Sequence, residues 1–187
     1  MENKGTIRLE TKRLILRRFV MDDAKAMYNN WATDSKTTEY LTWEKHKSIE
    51  ETQELVTRWI EAYNELSTYN WIIELKDTHE AIGNISAVKI DEKIEAVEIG
   101  YCMGSKWWGN GYMPEALTEV INYLFSKVKL NRIAACHDVN NPKSGRVMDK
   151  AGMKTEGIMR QTGKAKGKLY DKKWHSILRS EWEISNV

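Results

Sequence analysis

Two glycines stand just before a helix-like run in the stretch WWGNGYMPEA (107–116): Gly109 and Gly111, with Pro114 in the first turn. Glycines so placed strip side chains from a backbone that must come close to something. The unpaired N–H groups of the following helix point at the same place, and the helix dipole favours an anion there. Proline suits the first turn, because its missing N–H would have had no acceptor within the helix. The chemistry implied is the binding of a phosphate or pyrophosphate. A dinucleotide fingerprint would need a third glycine where Pro114 stands, and no G-x-x-x-x-G-K-[ST] occurs. By itself the stretch equally describes a tight turn ahead of a helix.

Other reactive side chains are few. Glu98 lies between Val97 and Ile99 in an apolar, strand-like run, where partial desolvation suits a carboxylate to taking up a proton. It also reads as a glutamate on a wet sheet face. Cys102 has no activating partner evident in the sequence and reads as a small core hydrophobe. His46, His79, His137 and His175 are scattered without ligand spacing, so no metal is expected. Cys102 and Cys136 form no C-x-x-C, and two cysteines in 187 residues fit a reducing cytoplasm.

Hydrophobic residues make up 41% and charged residues 30%, which describes one soluble globular domain over 1–187. No apolar run approaches the roughly 20 residues of a membrane helix. The opening MENKGTIRLETKR has no apolar segment of a secretory signal. With 29 basic against 27 acidic residues, net +2, no nucleic-acid partner is expected. The one basic cluster, Arg160 to Trp174, reads as a solvated hairpin with a lysine-rich turn.

The elements that must position these groups follow from periodicity. RLILRRFV (13–20) alternates as a strand, and Asp22 and Asp23 look like a cap for a helix through Trp31. A helix is expected over 48–66, opened by a capping box of Ser48 and Glu51. Strand-like runs at 69–75, 81–90 and 94–103, with turns at KDTHE and DEK, predict an antiparallel meander. Leu117, Val120, Ile121, Leu124 and Val128 share one face of a helix over 113–128. NRIAACHDV (131–139) reads as a strand buried on both sides, so a right-handed parallel crossover joins it to the strand before that helix. A short helix over 142–152 stops at Gly152, and strands at 153–161 and 172–184 close the chain. The class is α+β.

VEIGYCMGSKWWGNGYMPEAL, followed by NNPKSGRVMDKAGMKTEGIMR, resembles the GNAT superfamily of acetyl-CoA-dependent N-acetyltransferases, and most closely its ribosomal-protein N-acetyltransferase (RimJ/RimL-like) branch. LETKRLILRRFVMDDA and YDKKWHSILRSEW extend the likeness to both ends. Two positions depart from the superfamily loop: Trp108 stands where Gln or Arg is usual, and Met113 where a small residue is usual. The resemblance implies a mixed, mostly antiparallel central sheet flanked by helices, with a V-shaped split between two central parallel strands. It implies acetyl-CoA as cosubstrate and no metal. Pantetheine would pair with the backbone of Tyr101, Cys102 and Met103. Pyrophosphate would sit on amides of the loop Trp108, Gly109, Asn110, Gly111, Tyr112 and Met113. Asn141 matches the family residue that bonds the pantetheine arm. Lys106, Lys143 and Arg146 are placed to meet phosphates, and each also reads as an ordinary surface cation. Glu98 matches a frequent family base. Ser144 matches the serine that would return a proton to the thiolate, with Tyr101, Tyr112 and Tyr170 as other donors.

The reaction such a site performs is attack of a neutral amine on a thioester carbonyl. It needs a base, a home for the oxyanion, which strand N–H groups can supply, and a proton for the leaving thiolate. An α-amine has a pKa near about 8 and a lysine side chain near about 10.4, a difference of roughly 3 kcal/mol in proton removal. One carboxylate therefore suits a protein or peptide N-terminus better than lysine. A small-molecule amine remains the alternative acceptor, and a non-catalytic acyl-CoA sensor the alternative outside enzymes. Trp31, Tyr40, Trp43, Trp59 and Trp71 supply core, with one or two free to wall the acceptor cleft. Asp34, Glu39 and Glu44 are available to a cationic acceptor. The chain is expected to be a monomer or homodimer.

Overall fold

A computed structural model describes residues 1–185. In chain order the elements are β1 (Leu9–Glu10), β2 (Leu14–Arg17), α1 (Asp23–Met27), α2 (Ser35–Thr38), α3 (Ile49–Ala62), β3 (Asn70–Leu75), β4 (Ala81–Asp91), β5 (Ala96–Met103), α4 (Tyr112–Tyr123), β6 (Arg132–Asp138), α5 (Pro142–Lys150), β7 (Lys154–Ala165), β8 (Lys168–Leu178) and α6 (Arg179–Ser185). Wide helical turns extend α1 through Ala32 and α4 through Val128. The strands form one sheet in the order β1-β2-β3-β4-β5-β6-β8-β7. Every neighbouring pair is antiparallel except β5 and β6, which are joined through α4 as the sequence predicts.

Two apolar cores lie on opposite faces of this sheet. Leu117, Val120, Ile121, Leu124 and Val128 of the α4 segment cover Leu14, Leu16, Trp71, Ile73 and Ile99. On the other face α1 and α3 place Met27, Trp31, Val56 and Tyr63 against Phe19 and Ile72. β3 separates the two and buries all six of its residues. Among the described residues no helix is long and apolar enough to cross a membrane.

Four local expectations are corrected. Asp22 makes no side-chain capping bond. Asp23 instead accepts the Val20 N–H at 2.8 Å and binds Arg17 through both oxygens. Ser48 does cap α3, but Glu51 reaches back to the Lys47 N–H at 2.8 Å, so the box is not reciprocal. The helix also stops at Ala62, short of Leu66. Finally, the closing strand ends at Leu178. The Glu181 carboxylate accepts the Leu178 N–H at 3.0 Å and opens α6. Coiling there carries Trp182 onto Phe125, with its indole N–H on Asn122 at 2.8 Å. A continuing strand would forgo that contact.

α2 is held by one carboxylate. Asp34 caps it through the Lys36 N–H, takes the Thr37 hydroxyl at 2.8 Å, and takes the Ser105 N–H at 2.9 Å. Burial alone would push its carboxyl up, but hydrogen bonds from Ser105, Thr37 and Lys36 outweigh that and hold it at about 2. A depressed carboxyl contributes stability above its unfolded pKa and loses it as pH falls through the folded one. Asp34→Asn is therefore expected to cost about 2 kcal/mol at neutral pH. The gap to the parent should close between about pH 4 and 2, read from urea midpoints across pH. A constant gap would contradict this account.

Candidate active site

β5 and β6 run side by side for three residue pairs only, with Ala96, Val97 and Glu98 opposite Arg132, Ile133 and Ala134. Beyond Glu98 they part. Tyr101, Cys102 and Met103 keep partners on β4 but have none on β6. A cleft of about 640 Å³ opens there. Its walls are the end of β5, the loop at Trp107–Gly109, the start of α4, the start of α5, and the segment from Lys36 to Leu41. Both helices begin at this cleft, capped by Gly111 and Asn141. The first turns of both line it; in α5 Pro142 carries no N–H and the Ser144 N–H is spent on Asn141, which leaves the Lys143 amide.

The loop is set in advance. Gly109 and Gly111 have φ of +83° and +77°, a region that side chains disfavour. No atom lies within 4 Å of where a Gly109 Cβ would sit. Among the described residues, nothing accepts from the amides of Gly109, Asn110 or Gly111. A phosphate-type anion thus fits what the loop offers, open space beside unpaired amides. Arg13 braces it from behind. Its Nη1 donates to the Asn110 carbonyl at 2.9 Å, its Nε to Glu115 at 2.7 Å, and its guanidinium lies 4.5 Å over the Tyr112 ring. Thr11 adds a hydroxyl to Glu115 at 2.5 Å. Nothing in the sequence flagged Arg13 or Glu115, since the pair is local only in space.

The two departures in the loop have separate physical reasons. Trp108 donates its indole N–H to the Met103 carbonyl at 2.7 Å, and Lys143 Nζ sits 4.8 Å from its ring. Met113 is buried in the α4 core and is also among the residues that line the cleft. Asn110 does not line the cleft. Its side-chain amide folds back to the carbonyls of Trp107 and Trp108 at 3.1 and 3.3 Å. The Met103 carbonyl, expected to be open to a pantetheine arm, is already taken by Trp108 and by the Thr37 hydroxyl at 3.1 Å.

α5 brings Asn141, Lys143, Ser144 and Arg146 to the cleft, as expected. Asn141 spends its side-chain oxygen on the Ser144 N–H at 3.4 Å, which leaves its NH₂ group free to donate. Gly145 lets the helix press onto β6, for a Cβ there would lie 2.7 Å from His137 Nε2. Ser144 Oγ lies 3.0 Å from Tyr101 Oη, and Tyr101 also donates to the Ser144 carbonyl at 2.9 Å. Burial pushes the Tyr101 phenol well above its usual range, so it stays protonated and can hold a proton beside Ser144. Lys106 points elsewhere, onto the Trp107 ring and Glu80.

Glu98 does not line this cleft. Side chains alternate along β5, so Glu98 and Cys102 project from the face opposite Ile99 and Tyr101. Ile99 and Tyr101 pack with the α4 core, whereas Cys102 packs with the α1–α3 core. The Glu98 carboxylate thus stands at the head of the split but on its far side, with the Cys136 thiol 3.5 Å away. Burial pushes the Cys102 thiol up to about 12, with Asn84 as its partner at 2.9 Å, so it is no nucleophile. Of the five aromatics singled out, Trp31 and Trp71 are fully buried, and Tyr40 lines the cleft. Glu39 also lines it, whereas Asp34 serves the fold.

Residues 13–154 match the family described as the acetyltransferase (GNAT) domain. The chain is 35% identical over 171 residues to the uncharacterized N-acetyltransferase YoaA of Bacillus subtilis (strain 168), covering 91% of this chain and 96% of that one. It is 28% identical over 185 residues to the [ribosomal protein uS5]-alanine N-acetyltransferase of Escherichia coli (strain K12), covering 96% and 95%. A GNAT-family acetyltransferase structure from Bacillus anthracis superposes with a TM-score of 0.82 at 27% identity, covering 94% of this chain and all of that one. A split sheet, two helix starts converging on one cleft, and these matches lead to one conclusion: the chain belongs to the GNAT family of acetyl-CoA-dependent N-acetyltransferases.

Proposed function

We propose that this enzyme acetylates the α-amine at the N-terminus of a protein or peptide. Acetyl-CoA supplies the acetyl group as a thioester. The amine nitrogen bonds the carbonyl carbon, the C–S bond breaks, and one proton moves from the amine towards the leaving sulfur. Glu98 takes the amine proton, directly or through one water, from the far side of the split. Ser144, backed by Tyr101, returns a proton on the near side. The amides from Gly109 to Met113 hold the pyrophosphate, and Asn141, Lys143 and Arg146 meet the rest of the cosubstrate.

The observation that carries this reading is the Glu98 carboxylate at the last β5–β6 pair, at the head of the split. One such base fits an α-amine, whose proton is cheaper to remove than that of lysine by roughly 3 kcal/mol. The likeness to an enzyme named as a [ribosomal protein uS5]-alanine N-acetyltransferase adds support. The test is acetyl-CoA-driven thiol release across N-terminal peptides, lysine peptides and small amines. Peptides with free α-amines should turn over best. Release with a small amine alone would replace the acceptor class, and acetyl-CoA binding without any release would favour a sensor.

The cradle has its own expected result. Gly109→Val places a β-branched side chain at positive φ, in the space the cosubstrate needs. The KM for acetyl-CoA should rise about ten-fold or more, while the KM for the acceptor stays within about two-fold. Equal loss on both substrates would place the pyrophosphate elsewhere.

A further inference from the structure

A sheet that splits leaves two free arms, and here something joins them. The first arm is the end of β5. Thr37 donates its hydroxyl to the Met103 carbonyl, and Ser105 donates its amide to Asp34, so α2 is fixed to this arm. The second arm is the end of β6. It pairs with β8 as far as Asp138 and Lys172, and the Val139 N–H donates to the Asp171 carbonyl at 3.1 Å. From there β8 and β7 run on past the end of β6 as a hairpin. The hairpin turns through Lys166 and Gly167, both at positive φ, the two-residue turn whose twist matches its strands. Lys166 Nζ then donates to the Thr38 carbonyl at 2.7 Å. Residues 128 apart in sequence thereby link the hairpin to α2.

We propose that Lys166 is a specificity-determining residue: by bridging the hairpin to α2 it turns the split into a closed window, through which the acceptor must present its amine end-on. Slim chain ends pass, and amines flanked by bulk do not. The inference rests on acetyl transfer at this split. The geometry supports it in two ways. The Thr38 carbonyl also accepts the Leu41 N–H at 3.1 Å, so the bridge ends where the cleft-lining segment Glu39–Leu41 begins. The two hairpin strands also pack closely on each other, because the Tyr170 ring lies 2.3 Å from where a Gly163 Cβ would stand. A charged donor on a carbonyl makes a strong, short bond, and lysine has the reach to make it from an exposed turn.

The test uses the whole chain and needs no turnover. Its probes are two CoA–acetyl–peptide conjugates, one with Ala-Ala and one with Trp-Trp at the peptide start, and binding is read by calorimetry. The parent should bind the slim conjugate about ten-fold more tightly or better. Lys166→Met should bring that preference below about two-fold with unchanged CoA affinity, and Lys166→Arg should restore it. Amide hydrogen exchange supplies a second readout. Residues 36–41 should exchange about ten-fold faster in Lys166→Met. An undiminished preference in Lys166→Met overturns the window, as does a parent that binds both conjugates alike. Unchanged exchange overturns the bridge. Failure of the acceptor panel removes the acceptor class and leaves these readouts standing.

Discussion

Glu98→Gln is expected to lower kcat by about two to four orders of magnitude while leaving acetyl-CoA affinity within about two-fold. The asymmetry follows from where Glu98 sits. Its carboxylate projects from the face opposite Tyr101 and Ser144, so cosubstrate bound in the cleft does not need it. Glutamine keeps the shape and the contact with Cys136 but cannot accept a proton. Stopped-flow binding of acetyl-CoA and steady-state thiol release, measured on one preparation, separate the two effects. Raising pH should recover part of the lost rate, because the acceptor then arrives deprotonated without help. Retained turnover at neutral pH would mean that solvent takes the proton.

The largest stability effect is expected from Arg17→Met. Arg17 binds both oxygens of Asp23 at 2.8 and 2.9 Å and one oxygen of Glu74 at 2.7 Å. Those carboxylates are 6% and 8% exposed. Burial pushes the Glu74 carboxyl up, and its bonds to His79 and Arg17 bring it down again. Removing the guanidinium leaves two neighbouring negative charges with little solvent. Breaking a buried pair in this way costs about 3–5 kcal/mol. Denaturant midpoints at pH 7 should show it. The deficit should shrink as pH falls, because the stranded carboxylates can then take up protons in the folded state. A deficit below about 1 kcal/mol, or one that grows in acid, would contradict the role given to Arg17.

Much of the fold is legible in the sequence because its signals are local. The α4 stripe, the three-strand meander, and the helix stop at Gly152 each rest on neighbours within a few residues. The cleft is legible for a different reason: its backbone donors come from two helix starts, and glycine, proline and asparagine mark such starts. What escapes is whatever joins distant segments. Arg13 with Asn110, Thr37 with Met103, and Lys166 with Thr38 are pairings that no periodicity encodes. Trp182 shows the same limit. Residues 172–184 alternate well enough for a strand, yet the chain coils after Leu178 because Phe125 and Asn122 await that indole. Periodicity puts Glu98 on its strand, but its face follows only once the two cores are assigned.

β3 buries every residue it has, with Trp71 and Ile73 facing one core and Ile72 the other. It therefore works as a party wall. Phe19, Trp31, Val56 and Tyr63 belong to the core on the Glu98 side of the sheet, and the α4 core behind the loop of Gly109 and Gly111 lies on the other. If acceptor and cosubstrate divide across the sheet as proposed, substitutions in one core can retune the acceptor while the packing under the CoA loop keeps its own residues.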